Sequence, residues 1–190
     1  MPPGNGWSAA KASRATLVVS FHSSGVGAGY TVTVNGTDTP TLVDTAKNGA
    51  ANTYIYPNIP VGNQPVMVTA ASTGVITLLV VEFTNVGPSP MDGHAFGQCT
   101  DGDGCQFQVP INTASFSVSG NDIVWTWCGS DHGGAFPQLG TQPANDYTLI
   151  SSGLPGESMG EYRVQTTAGS TYSQWGIDVG FAMAIAIKGK

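Results

Sequence analysis

From residue 15 onward, apolar residues come in short bursts divided by clusters of glycine, proline, asparagine, aspartate and serine. The bursts are rich in Val, Ile, Thr and aromatics and many alternate apolar with polar positions, which predicts strands; no segment carries a helical period. Strands are expected at Ala15–Phe21, Gly29–Val34, Thr41–Asp44, Asn52–Tyr56, Pro65–Ala70, Val75–Thr84, Gln106–Val109, Thr113–Ser119, Asp122–Cys128, Asp146–Ser151, Glu161–Thr166, Thr171–Trp175 and Val179–Ile187. Asn35-Gly36 is a type I′ hairpin signal, because both residues tolerate positive φ. So many short strands imply an all-β fold, a two-sheet antiparallel β-sandwich.

Alternation also assigns faces. Phe181, Met183, Ile185 and Ile187 share one side of their strand, and Ala182, Ala184 and Ala186 the other. Ile123, Trp125 and Trp127 line up opposite Val124, Thr126 and Cys128. Strands apolar on both faces belong at the centre of sheets. The two halves also resemble each other: LVVSFH at Leu17–His22 matches IVWTWC at Ile123–Cys128, about 106 residues on, and VITLLVVEF matches VGFAMAIAI. The sandwich is therefore expected to be built from two similar halves. Residues 85–105 read as one long irregular loop, residues 1–14 as an extended arm, and residues 15–190 as a single domain.

Composition narrows the function. Only 9% of the 190 residues are charged and the net charge is −6, which argues against a nucleic-acid binder that gains affinity from Lys and Arg clusters. With 41% hydrophobic residues, the 26 glycines and 12 prolines mark turns rather than disorder. The apolar run Val75–Phe83 is interrupted by Glu82 and is much shorter than the ~20 residues of a membrane helix. The opening MPPGNGWSAAKASRATLVV lacks a basic stretch followed by an apolar core, so a secretory signal was either removed or never present. A protein released by host lysis needs none.

The order of LVVSF, YTVTVNG, NTYIYPNIPVGNQPVMVTA, LLVVEFTNVGPSPMDG, SGNDIVWTWCGS, GEYRVQTTAGSTYSQW and FAMAIAI is similar to a jelly-roll-like β-sandwich module of uncharacterised bacterial surface proteins and phage virion proteins. The resemblance implies a fold and an exterior location, and implies no chemistry.

Candidate sites are few. Cys99 and Cys105 bracket TDGDG, a spacing that a disulfide closes in an oxidising setting, with free thiols the rival; Cys128 reads as a buried, inert thiol. Asp101 and Asp103 offer a glycine-rich Ca2+ loop, against a solvated acidic turn. Asp131-His132 is the one adjacent acid and imidazole, and no nucleophile-elbow, zincin, P-loop or dinucleotide signature occurs, so the chain reads as non-enzymatic. Glu82 and Arg163 are expected to form a buried ion pair. Tyr54, Tyr56, Tyr172 and Trp175 are candidates for stacking on glycans, while Trp125 and Trp127 read as core. Trp7, Pro2 and Pro3 in the arm are expected to contact a neighbouring subunit. The expected role is a structural or decoration-type subunit at a virion surface, with copies of itself or other coat subunits as partners. The alternative is a secreted, extracellular carbohydrate-binding or adhesive module.

Overall fold

A computed structural model describes residues 14–23, 29–60, 64–71, 74–99, 110–130, 147–152, 158–176 and 179–190. Within them the chain is nearly all strand: β1 (Arg14–Ser23), β2 (Tyr30–Val34), β3 (Thr41–Ala46), β4 (Ala51–Pro60), β5 (Val66–Ala70), β6 (Ile76–Thr84), β7 (Val86–Cys99), β8 (Ile111–Asn112), β9 (Phe116–Val118), β10 (Asp122–Ser130), β11 (Thr148–Ser152), β12 (Ser158–Gln165), β13 (Gly169–Thr171), β14 (Gln174–Trp175) and β15 (Gly180–Gly189). A single tight turn at Lys47–Gly49 joins β3 to β4.

Two antiparallel sheets make the body. The first has the order β3-β4-β1-β6 and the second β11-β12-β10-β15-β7. Their facing sides share one core: Val18, Ile55, Leu79 and Phe83 from the first meet Trp125, Trp127, Phe181, Met183, Ile185 and Ile187 from the second. The two tryptophans at the junction both come from the second sheet. The indole N–H of Trp127 donates to Thr53 Oγ1 at 2.8 Å, and that of Trp125 reaches Ser20 Oγ at 3.4 Å. Hydrogen-bonding both indoles across the junction removes the cost of burying them dry. Gly160 is required beside Trp125, because a Cβ there would overlap the indole ring.

The outer faces are covered as well. The pair β2–β5 lies over β1, so Leu17, Val19 and Phe21 are buried against Val34, Val32 and their neighbours. The pairs β8–β14 and β9–β13 lie over the second sheet, enclosing Cys128, Ala182 and Trp175, and then Val124 and Ala186. That is why β1, β10 and β15 are apolar and buried on both sides, and it matches the faces expected from alternation.

The halves repeat at the level of backbone pairing. In each, a central strand lies between two neighbours and a fourth strand pairs outside: β3-β4-β1-β6 corresponds to β11-β12-β10-β15. Residues 107 positions apart, Leu42 with Leu149 and Val18 with Trp125, occupy the same pairing positions, and the register slips at Leu42/Asp44 and Leu149/Ser151 coincide. The closing strands correspond at 104 positions, Leu79 with Met183. The first motif match, Leu17–His22 with Ile123–Cys128, sits one residue off this register, and one residue swaps the faces of a strand, whereas the closing match of Val75–Phe83 with Val179–Ile187 is in register. By register Trp127 corresponds to Ser20, whereas the motif match sets it against Phe21.

Residues 86–99 correct the expectation of an irregular loop. They form β7, the longest of the described strands, on the outer edge of the second sheet. Its glycines and prolines have physical reasons. Pro88 and Pro90 are tolerated on an edge, where a missing N–H breaks no ladder. Gly93 and Gly97 let the covering strands approach: a Cβ on Gly93 would lie 2.7 Å from the Ser117 carbonyl oxygen, and one on Gly97 would overlap the Asn112 carbonyl. The turn at Asn35-Gly36 forms as expected but with three loop residues, since Val34 bridges to Asp38.

Candidate functional site

The strand β6 reads ITLLVVEFT. Its alternation sends Leu79, Val81 and Phe83 inward to the core, leaving Leu78, Val80 and Glu82 on the outer face. In the second half the corresponding residues, 104 positions on, are Ala182, Ala184 and Ala186. The two positions have opposite fates. The alanines are 0%, 3% and 0% exposed, whereas Leu78 is 39% and Val80 42% exposed. β15 is also flanked on its far side by β7, while among the described residues no strand pairs with the far side of β6. Among the described residues this edge carries no strand, and beside it stand the large apolar side chains of Leu78 and Val80 with one charge, Glu82. Natural proteins usually blunt such edges with charge, proline or a cover.

Groups able to do proton chemistry are placed differently. His94 Nδ1 lies 2.6 Å from Asp44 Oδ2 and ties β7 to β3 across the edges of the two sheets, next to the Lys47 N–H donating to Gln98 Oε1 at 2.8 Å. Asp92 accepts the Ser119 N–H, with Lys188 Nζ 3.7 Å from its other oxygen, and Asp122 accepts the Gly120 N–H at 2.7 Å; together they fix the turn into β10. The Ser119 hydrogen bond holds the Asp92 carboxyl below its ordinary range, and burial pushes that of Asp122 above it. Burial holds the His22 imidazole down to about 4, helped by Lys47. Glu161, on the outer face of β12 opposite Thr126, is 1% exposed and neither carboxylate oxygen has a hydrogen-bond partner, so burial pushes it up to about 7. Among the described residues no three His, Cys, Asp or Glu side chains are close enough to hold a metal ion.

Several residues singled out by sequence fall elsewhere than expected. Glu82 and Arg163 are not brought together: Glu82 is exposed on the outer face of β6, and Arg163 is buried on β12 in the other sheet. The physical reason is that β6 is an edge strand whose outer face meets solvent, so Glu82 needs no cation. The Arg163 guanidinium donates to Thr171 Oγ1 and, at 2.6 Å, to Gln165 Oε1, and lies 5.3 Å from the centre of the Tyr147 ring. The buried acids among the described residues are Asp122 and Glu161. Nothing in its local pattern, GEYRVQ, marks Glu161 as buried, because that depends on the strands laid over the outer face of the second sheet.

The glycan-stacking candidates do not form a platform. Trp175 is fully buried, its indole N–H donating to Thr126 Oγ1 at 3.1 Å. Tyr54 stacks on Phe21 with ring centres 6.0 Å apart, and Tyr56 donates its hydroxyl to Asp38 Oδ2 at 2.7 Å; both are half-buried near β2–β5. Tyr172 lies in the other half, its carbonyl accepting from the Tyr147 hydroxyl at 3.5 Å. Cys99 is disulfide-bonded and Cys128 is a buried free thiol. Cys105, Asp101, Asp103, Asp131, His132, Pro2, Pro3 and Trp7 lie outside the described residues.

Compared with protein families, curated proteins and solved structures, the chain matches none.

Proposed function

We propose that this chain is a non-enzymatic structural subunit of an exterior assembly, with a virion surface the first choice, and that it works by strand-to-strand contact through β6. The observation that carries the reading is the contrast between equivalent strands: β15 is covered and alanine-faced, while β6 has no strand on its far side among the described residues and carries Leu78 and Val80 at 39% and 42% exposure. Low charge suits such contacts, because few ionic groups need desolvating when surfaces close. The glycan-binding alternative is weakened by the burial of Trp175 and by the engagement of the half-buried Tyr54 and Tyr56 with Phe21 and Asp38.

Sedimentation and electron microscopy of the full chain test this. The wild type is expected in species larger than one chain, and Val80→Lys in single chains with an unchanged far-UV spectrum. A chain that stays single and changes its tryptophan fluorescence with a polysaccharide would reverse the choice in favour of the secreted binding module.

A further inference from the structure

We infer that the side chains of Lys188 and Asp92 condense to an intramolecular isopeptide bond, with the Asp122 carboxyl relaying a proton. This is independent of the reading of β6. Three strands bring the groups together on the outer side of the second sheet. Lys188 and Asp122 are direct partners across β15 and β10. On the far side of β15, Ala186 pairs with Gly93 and Ile187 with Met91, so β7 carries one extra residue there, and that residue is Asp92. A bulge of this kind re-aims a side chain, and here it sets the Asp92 carboxyl against both of the others: Lys188 Nζ lies 3.7 Å from Oδ1, and the Asp92 and Asp122 carboxyls hydrogen-bond each other.

An ordinary surface ion pair has no further group placed to make it react, and this one does. Two carboxyls hydrogen-bond only when one of them carries a proton. Asp122 is fully buried, with Oδ2 accepting the Gly120 N–H and Oδ1 meeting no other donor, so burial assigns the proton to it. The Ser119 N–H donates to Asp92 Oδ2, the kind of fixed donor that stabilises negative charge on that oxygen when Nζ adds to Cγ. The ladder holds amine and acid together, which raises their effective concentration far above that of free groups. The step balances as ammonium plus carboxylate giving amide plus water. A bond forms between Nζ and Cγ, and the bond from Cγ to the departing oxygen breaks. Asp122 gives its proton to that oxygen and recovers one from Nζ; a second Nζ proton completes the water, and the third stays as the amide N–H. The bond closes residues 92–188 into a covalent ring that ties the edge strand β7 to β15 and restricts the unfolded chain as a disulfide does.

Mass spectrometry of the full chain, folded and then denatured and reduced, tests this. The wild type is expected to be lighter than its sequence by one water molecule, and a peptic digest to contain a branched peptide joining the segments around Asp92 and Lys188. Lys188→Arg keeps the ion pair but removes the nucleophile, and is expected at full mass with a lower thermal midpoint than wild type. Asp122→Asn keeps an acceptor for the Gly120 N–H but has no proton to relay, and is expected to remain unlinked while its far-UV spectrum stays that of the wild type. A folded wild type at full mass overturns the inference, as does a loss of water that persists in Lys188→Arg or a branch at other residues. An Asp122→Asn chain that condenses as fully as wild type overturns the relay.

Discussion

His22 and Glu161 pull the pH dependence of stability in opposite directions. The folded state holds Glu161 protonated up to about 7, whereas the unfolded chain ionises it near 4.5, so this group's stabilisation is complete in acid and is lost as pH rises through that interval. His22 stays neutral down to about 4 in the fold but titrates near 6.5 when unfolded, so its contribution is present above the upper value and is lost as pH falls. The two slopes oppose each other over one window and flatten the wild-type profile. Glu161→Gln is expected to be more stable than wild type by roughly 1–3 kcal/mol near pH 8 and indistinguishable from it near pH 4, read by urea unfolding at each pH. Equal effects at both would show that Glu161 ionises normally in the fold. Trp127→Phe removes the indole donor to Thr53 and some volume, so a loss of about 1–3 kcal/mol is expected in the same assay. Trp127 was legible as core from alternation alone. Glu161 was not, because burial on the outer face of β12 comes from strands far away in sequence, and Glu82 was misassigned for the converse reason: nothing in ITLLVVEFT says that its strand is an edge.

At the scale of the element, β7 shows why composition misled. Glycine and proline at Gly87, Pro88, Pro90, Gly93 and Gly97 resemble a loop, yet the strand is long and pairs with β15 without a break from Gly93 to Cys99, with two register slips before that. Its prolines sit at an edge and its Gly93 and Gly97 lie beneath β9 and β8, two requirements that only tertiary packing imposes. Gly93→Ala is expected to cost about 1–3 kcal/mol, because its Cβ would press on the Ser117 carbonyl and the Phe116 ring. Gly87→Ala, whose nearest neighbour lies 4.0 Å away, is expected to leave the unfolding midpoint within error. Equal tolerance of both would show that the cover over β7 is looser than described. Strands with alternating or two-sided apolar patterns, β1, β10 and β15 above all, were readable because their pattern is set by the sheet they belong to.

The whole molecule is one pairing scheme used twice, with the halves closed on each other through the Trp125 and Trp127 junction. The repeat was visible in the motifs, in register for the closing strands but one residue out for β1 and β10, because a match of apolar residues tolerates that slip whereas pairing and faces do not. Since each sheet buries its inner face only against the other, residues 14–84 produced alone are expected to show no cooperative unfolding transition by circular dichroism. A fragment that unfolds cooperatively would make the halves independent domains. The duplication is also what motivates the proposal for β6, because among the described residues the first half has no strand where the second half has β7. Hydrogen exchange of the full chain, followed by mass spectrometry at low and high protein concentration, tests that directly. The account predicts that amides across β6 slow as concentration rises and stay fast in Val80→Lys, with the edges β3 and β11 unchanged in both. Exchange across β6 that is independent of concentration, or protection that appears at β3 or β11 instead, would contradict it.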